Sequence, residues 1–316
     1  MNHSLKDWIL ATRPWSFPAS AMPVMVTVAW LWSRGFDVNW AFALWALVNI
    51  IFVHAAGNVW SDIADYKSGV DAKDTFGVRL LVDAGTNCRT LGAALAPLGA
   101  ALADLDAVLL THEHHDHVSA LAVLERRCGT PLYATSGTFE GCEQDRGGGG
   151  ACEGWDCRCF EPGEPFEVGG LRVEPFSTPH DAADPVGFVL DDGSARLGLA
   201  TDLGFATELV ARRLRGCAAL ALEFNHDLRM LEASARPPSL IQRIRGRNGH
   251  LSNDQGAELL AAVAGSGLRH VVPMHLSGEC NDPALAVAAA RDALRGAGLD
   301  PGIVRAPAFP TPLFEV

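Results

Sequence analysis

The stretch DAVLLTHEHHDHVSAL, Asp106 to Leu121, decides the fold of this chain. Its apolar residues Ala107–Leu110 predict a buried strand. Four side chains that can bind a metal follow within six residues, namely His112, His114, Asp116 and His117. Neutral imidazole and carboxylate groups are the ligands that Zn²⁺, Mn²⁺ and iron take from proteins. Burying four such groups without partners would cost several kcal/mol, which disfavours a purely structural turn. The stretch therefore predicts a metal centre at the end of a strand.

Short apolar runs of the same kind recur from Val78 onward and alternate with helical patterns. The predicted strands are Val78–Asp83, Ala107–Leu110, Leu132–Ala134, Leu171–Pro175, Val186–Leu190, Arg196–Ala200, Ala218–Leu222 and Val271–Met274. Helices are predicted at Val118–Cys128 and Phe205–Leu214, and a third begins with Asp282 as N-cap and Pro283 in its first turn. This alternation predicts an α/β layered domain.

Three further ligand candidates stand alone, each at the end of an apolar run. They are His180, Asp202 and His275. A single residue of this kind is more often structural than a ligand. Together with the first cluster, however, the three complete the donor set of a two-metal centre, in which ions roughly 3.5–4 Å apart stabilise both oxygens of a displacement. Asp202 supplies a carboxylate able to bridge them.

The HxHxDH pattern and these later residues resemble the metallo-β-lactamase superfamily, from about Val78 to Val316. The resemblance implies a hydrolase with an αββα sandwich fold and two divalent ions, Zn²⁺ or Mn²⁺. It places His112, His114 and His180 on the first ion, and Asp116, His117 and His275 on the second, with Asp202 bridging. In that family a hydroxide held by the metals is the nucleophile, and the residue at the position of Asp116 also orients it.

Two other segments are candidates for substrate binding. RPPSLIQRIRGRNGHLSN contains Arg236, Arg243, Arg245 and Arg247, whose guanidinium groups suit phosphate oxygens. A solvated basic loop is the alternative, since charge runs usually lie on the surface. In ALALEFNHDLRML, a polar cluster follows an apolar run, at a position that could line a substrate cleft; its members are Glu223, Asn225, His226 and Asp227.

The segments STPHDAADPVGF, LEFNHDLRML, GRNGHLSN and HLSGECNDP together resemble a bacterial branch of small phosphodiesterases. Members of that branch are related to exonucleases and to cyclic-phosphate phosphodiesterases. The resemblance implies hydrolysis of phosphodiesters in nucleic acid or a nucleotide. His250 is a candidate general acid or phosphate ligand, although a single loop histidine is equally often structural. No protein partner can be inferred.

The amino-terminal part has a different composition. Residues 14–33 and 38–61 are uncharged segments of 20 and 24 residues, and roughly 20 apolar residues suffice to cross a bilayer. They predict two transmembrane helices, which would tether the enzyme to the inner membrane through residues 14–61. Lys6 and Arg13 before the first segment favour a cytoplasmic N-terminus, and hence a cytoplasmic hydrolase domain. A pair of buried core helices is the alternative.

Asn58, Asp62 and Asp65 follow the second segment at spacings that share one helix face. With RPWSFPAS and HAAGNVWSDIADYKSGVDAKDTFG they resemble the start of UbiA-type polyprenyltransferases that act on dihydroxynaphthoate in menaquinone synthesis. The resemblance implies a Mg²⁺ and diphosphate motif. That family needs about nine spans and a second Asp-rich motif, and no apolar run of membrane length follows Gly77. Prenyl transfer is therefore the alternative function, and a membrane anchor is the expected role.

The chain is thus predicted to have two parts, 1–77 and 78–316. The net charge of −12 excludes a general nucleic-acid coat protein, and eight irregularly spaced cysteines indicate a reducing compartment rather than a disulfide framework. In the resembled phosphodiesterases two strands precede the one at Val78–Asp83, and here they are missing. A gene fusion explains this, and an inactive fusion product is a further alternative.

Overall fold

The structure is a computed structural model that describes residues 17–49, 78–145 and 155–305. Contacts between residues divide the chain into two units, Met1–Gly77 and Val78–Val316.

Two sheets form the centre of the second unit. The first has four parallel strands in the order β1-β2-β3-β4. Its strands are β1 (Leu80–Val82), β2 (Ala107–Leu109), β3 (Leu132–Ala134) and β4 (Cys157–Cys159). Within the described residues no strand pairs with the outer side of β1, so β1 is an edge strand.

The second sheet has six strands in the order β10-β9-β8-β7-β6-β5. Its strands are β5 (Phe166–Val168), β6 (Leu171–Ser177), β7 (Val186–Asp191), β8 (Arg196–Ala200), β9 (Ala219–Glu223) and β10 (His270–Met274). Strands β8, β9 and β10 run parallel to one another, and the pairs β5–β6, β6–β7 and β7–β8 are antiparallel. The parallel part is the one that brings several strand ends to the same edge.

Within the second unit, helices cover the outer faces of both sheets. Its helices are α2 (Cys88–Leu95), α3 (His115–Val118), α4 (Leu121–Cys128), α5 (Ser136–Asp145), α6 (Glu208–Leu214), α7 (Leu228–Ala233), α8 (Pro238–Ile244), α9 (Asn253–Val263) and α10 (Pro283–Gly296), whereas α1 (Phe17–Ser33) belongs to the first unit. Asp282 caps α10 as predicted, because its carboxylate accepts a hydrogen bond from the N–H of Ala284.

Two predicted helices are wrong in their extent, and one of them, Phe205–Leu214, begins only at Glu208. Val118–Cys128 is split between α3 and α4, because the N–H of Ala120 donates to the carbonyl of Ala84 in the loop after β1. This bond fixes the metal-binding turn against the end of β1.

Side chains alternate along each strand and produce four layers. On β2, Ala107 and Leu109 pack toward the second sheet against Val173 and Phe188. Val108 and the following Leu110 pack on the opposite side against residues of α2 and α4. The outer face of the second sheet packs on α6, α9 and α10. The order helix, sheet, sheet, helix is the predicted αββα sandwich.

In the first unit, α1 spans Phe17–Ser33 and residues 40–49 are also helical. The rings of Trp32 and Trp40 meet edge to face at 6.0 Å. None of the helices in the described residues is both long and apolar enough to cross a membrane, so the two predicted transmembrane helices are not confirmed. Asn58, Asp62 and Asp65 lie outside the described residues.

Candidate metal centre

The seven predicted ligands meet at one edge of the sandwich. Four of them follow β2, and the other three follow β6, β8 and β10. His112, His180 and Asp202 are buried, whereas Asp116 is exposed. Strand ends that converge in this way hold the side chains on rigid backbone, which is what a metal site needs.

His112, His114 and His180 form the first ligand group. The Nε2 atom of His180 lies 3.2 Å from Nδ1 of His114. On the other side of its ring, Nδ1 of His180 donates to the carbonyl of Gly249 at 3.1 Å. The Nε2 atom of His112 is buried and has no hydrogen-bond partner.

Asp116, His117 and His275 form the second group. The Oδ2 atom of Asp116 lies 3.8 Å from Nε2 of His117 and 3.6 Å from Nε2 of His275. Three donor atoms therefore face one point, with the exposed carboxylate on the solvent side.

Asp202 lies between the two groups. Its Oδ1 atom is 3.6 Å from Nε2 of His180, and its Oδ2 atom is 3.4 Å from Nε2 of His117. Oδ2 is buried without a hydrogen-bond partner. A buried carboxylate oxygen and a buried imidazole nitrogen left unpaired are costly unless a cation takes them up. The donor set thus fits divalent metal ions, with Asp202 in the position of a bridge.

Asp83, the residue after β1, supports two of the ligand rings, one directly and one through Thr111, and so fixes which ring nitrogen carries the proton. Its Oδ2 atom accepts from Nδ1 of His117 and from the hydroxyl of Thr111, both at 2.8 Å. The Thr111 oxygen in turn lies 2.9 Å from Nδ1 of His112. Because Nδ1 of each ring is engaged, Nε2 of each is left free for a metal.

Glu223, the last residue of β9, is a second carboxylate that supports histidine rings, on the side of His275 and His250. It is fully buried, and its Oε1 atom lies 2.9 Å from Nδ1 of His250 and 3.0 Å from Nδ1 of His275. Its Oε2 atom accepts from the N–H groups of Leu203 and Leu251. Burial opposes ionisation, but the hydrogen bonds from His250 and His275 lower the pKa of Glu223 to about 2, so it is a carboxylate.

Three residues of the site have a left-handed backbone. Asp83, Asp202 and His275 have φ angles of 59°, 59° and 57°. Among the described residues other than glycine, these three have a positive φ. Such a conformation is uncommon in residues with a Cβ, and it clusters at functional sites. Each follows a strand and turns the chain so that its side chain enters the centre.

Electrostatics differ between the two groups of candidate ligands. Burial holds the pKa of His112 and of His180 below the usual value, so both rings are neutral. The ring of His275, whose Nε2 atom lies 3.6 Å away, holds the pKa of Asp116 well below its usual range. Burial lowers the pKa of His117, but the hydrogen bond and charge of Asp83 and the charge of Asp202 together raise it above the usual value.

A cleft of about 520 Å³ opens onto this centre. Of the residues predicted to bind substrate, Arg243 and Asn225 line the cleft, and so does His250. The amide of Asn225 donates to the carbonyl of His275 at 2.8 Å, which steadies that ligand loop.

Arg245, Arg247 and His226, also predicted to bind substrate, lie away from the cleft lining. Arg245 forms an ion pair with Glu232 at 2.7 Å. The guanidinium of Arg247 stacks over Phe205 at 4.5 Å. His226 is buried, and burial lowers its pKa to about 4. Helix α8 ends at Ile244, so the arginines beyond it do not share the face that carries Arg243.

Asp181 and Asp83 were not predicted as residues of the site. Asp181 lines the cleft, while Asp83 supports the ligand rings. Arg236 of the basic segment also lines the cleft, and Glu223 supports ligand rings. Asp83 ends a predicted strand and Asp202 follows one, so the same pattern identifies both.

The amino-terminal resemblance is confirmed over a short segment. UbiA prenyltransferase domain-containing protein 1 of Xenopus tropicalis is 36% identical over 76 residues, which is 24% of this chain and 22% of that protein. The chain therefore spans about a fifth of the prenyltransferase protein's length.

The fold has a counterpart among solved structures. The Zn²⁺-bound PqqB from Methylobacterium extorquens superposes with a TM-score of 0.56 and 24% identity, covering 76% of this chain and 84% of that one. A likeness at this identity concerns the fold.

The family is established by sequence. The beta-lactamase superfamily domain matches residues 78–276. Exodeoxyribonuclease WalJ of Streptococcus pneumoniae serotype 2 is 33% identical over 245 residues, covering 75% of this chain and 90% of that protein. The chain thus belongs to the metallo-β-lactamase superfamily and is a metal-dependent hydrolase.

Proposed function

We propose that this hydrolase cleaves phosphodiester bonds in DNA with two divalent ions, Zn²⁺ or Mn²⁺. The observation that carries the proposal is the position of Asp202, whose two oxygens face two separate groups of ligands. A carboxylate shared in this way is what a two-metal hydrolase requires. The substrate class rests on the likeness to exodeoxyribonuclease WalJ, of which the chain covers 90%.

The metal ions would activate water and stabilise negative charge on the phosphate group. Asp116 borders both the second ligand group and the cleft, and its side chain is 69% exposed. Its free carboxylate oxygen would accept a hydrogen bond from the attacking water and orient it toward phosphorus.

His250 would protonate the leaving oxygen. Its Nδ1 proton is held by the buried carboxylate of Glu223, and the ring borders the cleft. An imidazolium fixed by this carboxylate carries its second proton on Nε2, from which the proton passes to the departing alkoxide. The neutral ring left behind keeps its bond to Glu223.

Hydrolysis of bis(p-nitrophenyl) phosphate and of a DNA oligonucleotide by the full-length chain tests the proposal. The assay is run in detergent with added Mn²⁺ or Zn²⁺, beside a His114→Ala variant. We expect close to two bound ions per chain and a rate lowered at least about 100-fold in the variant, since even residues outside the ligand set change activity by 10–100-fold. A folded, metal-loaded protein that cleaves neither diester would contradict the proposed substrate class.

A membrane tether is the second proposal. In the described part of the first unit, large apolar side chains are exposed on both helical segments. They are Met22, Met25, Val26, Trp30, Trp32, Phe36, Trp40, Phe42, Leu44, Trp45 and Val48. So many exposed apolar groups on one short segment favour a lipid environment. The likeness to a segment of UbiA-type proteins supports the same role.

A further inference from the structure

One wall of the metal cleft is formed by a short amphipathic segment around α8. Leu240, Arg243 and Ile244 lie three and four residues apart on this helix and all line the cleft. Arg236, just before the helix, also lines it. The wall therefore combines an apolar surface with two guanidinium groups, next to the metal centre but outside its ligand set.

Both arginines are paired with carboxylates on the cleft rim. Arg243 Nε donates to Asp181 at 2.5 Å, and Arg236 donates to Glu279 at 3.0 and 3.2 Å. One member of each pair is largely exposed and the other about a quarter exposed, with Arg243 at 61% and Asp181 at 28%, and Glu279 at 76% and Arg236 at 26%. Because solvent reaches both pairs, a phosphate group that enters the cleft can replace the carboxylate as the partner of each arginine.

The neighbouring arginines are engaged elsewhere. Arg245 pairs with Glu232, and Arg247 stacks on Phe205. Apart from histidines, the cationic side chains in the described cleft lining are Arg236 and Arg243. A cyclic or isolated phosphodiester has a single phosphate, which the metal centre would hold, and it would leave both guanidinium groups without a role.

We propose that Arg236 and Arg243 bind phosphates of the substrate strand other than the one being cleaved, while Leu240 and Ile244 contact the sugars or bases between them. The site then selects a nucleic-acid strand that carries several phosphates over any small phosphodiester. This inference rests on the proposed phosphodiesterase function.

The test compares three substrates with the full-length, metal-loaded protein: a DNA oligonucleotide, a dinucleotide with a single phosphate, and bis(p-nitrophenyl) phosphate. We expect Arg236→Gln and Arg243→Gln each to raise the KM for the oligonucleotide by about 10–100-fold, as loss of a charge-assisted hydrogen bond does. Their KM for the two small diesters should stay within about twofold. The slope of log KM against log salt for the oligonucleotide should fall by about 0.7 to 0.9 for each arginine removed.

Matched variants separate this from a general loss of charge. Arg245→Gln removes an arginine outside the cleft lining and should leave the KM for the oligonucleotide within about twofold. Glu279→Gln removes the carboxylate that competes for Arg236 and should lower that KM.

Three results would overturn the inference, and they are distinguishable. If the two cleft variants affect all three substrates alike, or if the dinucleotide is cleaved as efficiently as the oligonucleotide, the inference fails while the hydrolase function stands. If the metal-loaded wild type cleaves no diester, the proposed function fails and the inference fails with it.

Discussion

Individual carboxylates behind the candidate ligand rings are expected to control how tightly the centre binds metal. Replacing Asp83 by Asn keeps the size of the side chain and the left-handed backbone, which Asn tolerates well. It turns one acceptor oxygen into a donor, so either His117 and the Thr111 hydroxyl lose Oδ2 or the Thr111 N–H loses Oδ1. We expect metal affinity to fall by about 10–100-fold, measured by competition with a chelator.

Asp106 provides the matched control for this experiment. It is also a carboxylate that accepts a backbone hydrogen bond, from the N–H of Arg79 at 2.8 Å, but it precedes β2 rather than following a strand into the centre. Asp106→Asn should leave metal affinity unchanged. Equal affinities for Asp83→Asn and wild type would show that Asp83 does not orient the ligands.

The proposed proton donation by His250 can be tested with substrates whose leaving groups differ in their need for a proton. An alkoxide leaving from DNA needs a proton, whereas p-nitrophenolate departs without one. We therefore expect His250→Ala to slow DNA cleavage by about 10²–10⁴-fold. Cleavage of bis(p-nitrophenyl) phosphate should change far less, and kcat for the two substrates checks this. A similar loss on both would mean that His250 supports the site structurally, through Glu223, rather than donating a proton.

At the scale of elements, the loop of residues 247–251 fastens the two ligand groups together. The carbonyl of Gly249 accepts from His180, and His250 and the N–H of Leu251 bind Glu223. The loop approaches the chain after Asp202 so closely that a Cβ on Gly204 would lie 2.0 Å from the carbonyl oxygen of Arg247. The loop can therefore come this close to the centre because Gly204 has no side chain.

Gly204→Ala should therefore displace this loop. Overpacking of this kind costs about 1–3 kcal/mol, and each kcal/mol lowers the Tm of a domain this size by about 2–4 °C. We expect a Tm lower by several degrees together with weaker metal binding, followed by thermal melting and metal titration. Gly267→Ala is the control, because a Cβ there has open space around it. Matching melting curves for the two variants would contradict the tight contact.

The sequence correctly predicts the strands that contain an apolar run. Strands β3 and β8 have the predicted bounds, and the polar residues at strand ends identify the ligand loops. β4 and β5 were not predicted, because Cys157–Cys159 is largely exposed and Phe166–Val168 is a three-residue strand. The roles of the arginines between Arg236 and Arg247 were harder to predict, because the direction of each side chain depends on where α8 ends. A charge pattern along the sequence cannot distinguish Arg243 in the cleft from Arg245 on the surface.

At the scale of the whole molecule, the metal centre draws its ligands from the second unit. The described ligands, their supporting carboxylates and the cleft all lie between Asp83 and Gly278. Even β1, an edge strand among the described residues, supplies Asp83 through the loop that follows it. Hydrolysis and any membrane attachment should therefore be separable by substitution.

Vesicle flotation of the full-length chain tests the tether. Wild type should float with phospholipid vesicles because the exposed apolar side chains of the first unit enter the lipid. A Val26→Glu, Leu44→Glu double variant should float at least about tenfold less, since a charge inside the bilayer costs about 2.5–3.5 kcal/mol. Leu285→Glu, at an exposed apolar position on α10, should float like wild type. If the double variant also retains diester hydrolysis in detergent, the first unit anchors the enzyme and contributes nothing to its chemistry; equal flotation of the double variant and wild type would rule out these helices as the anchor.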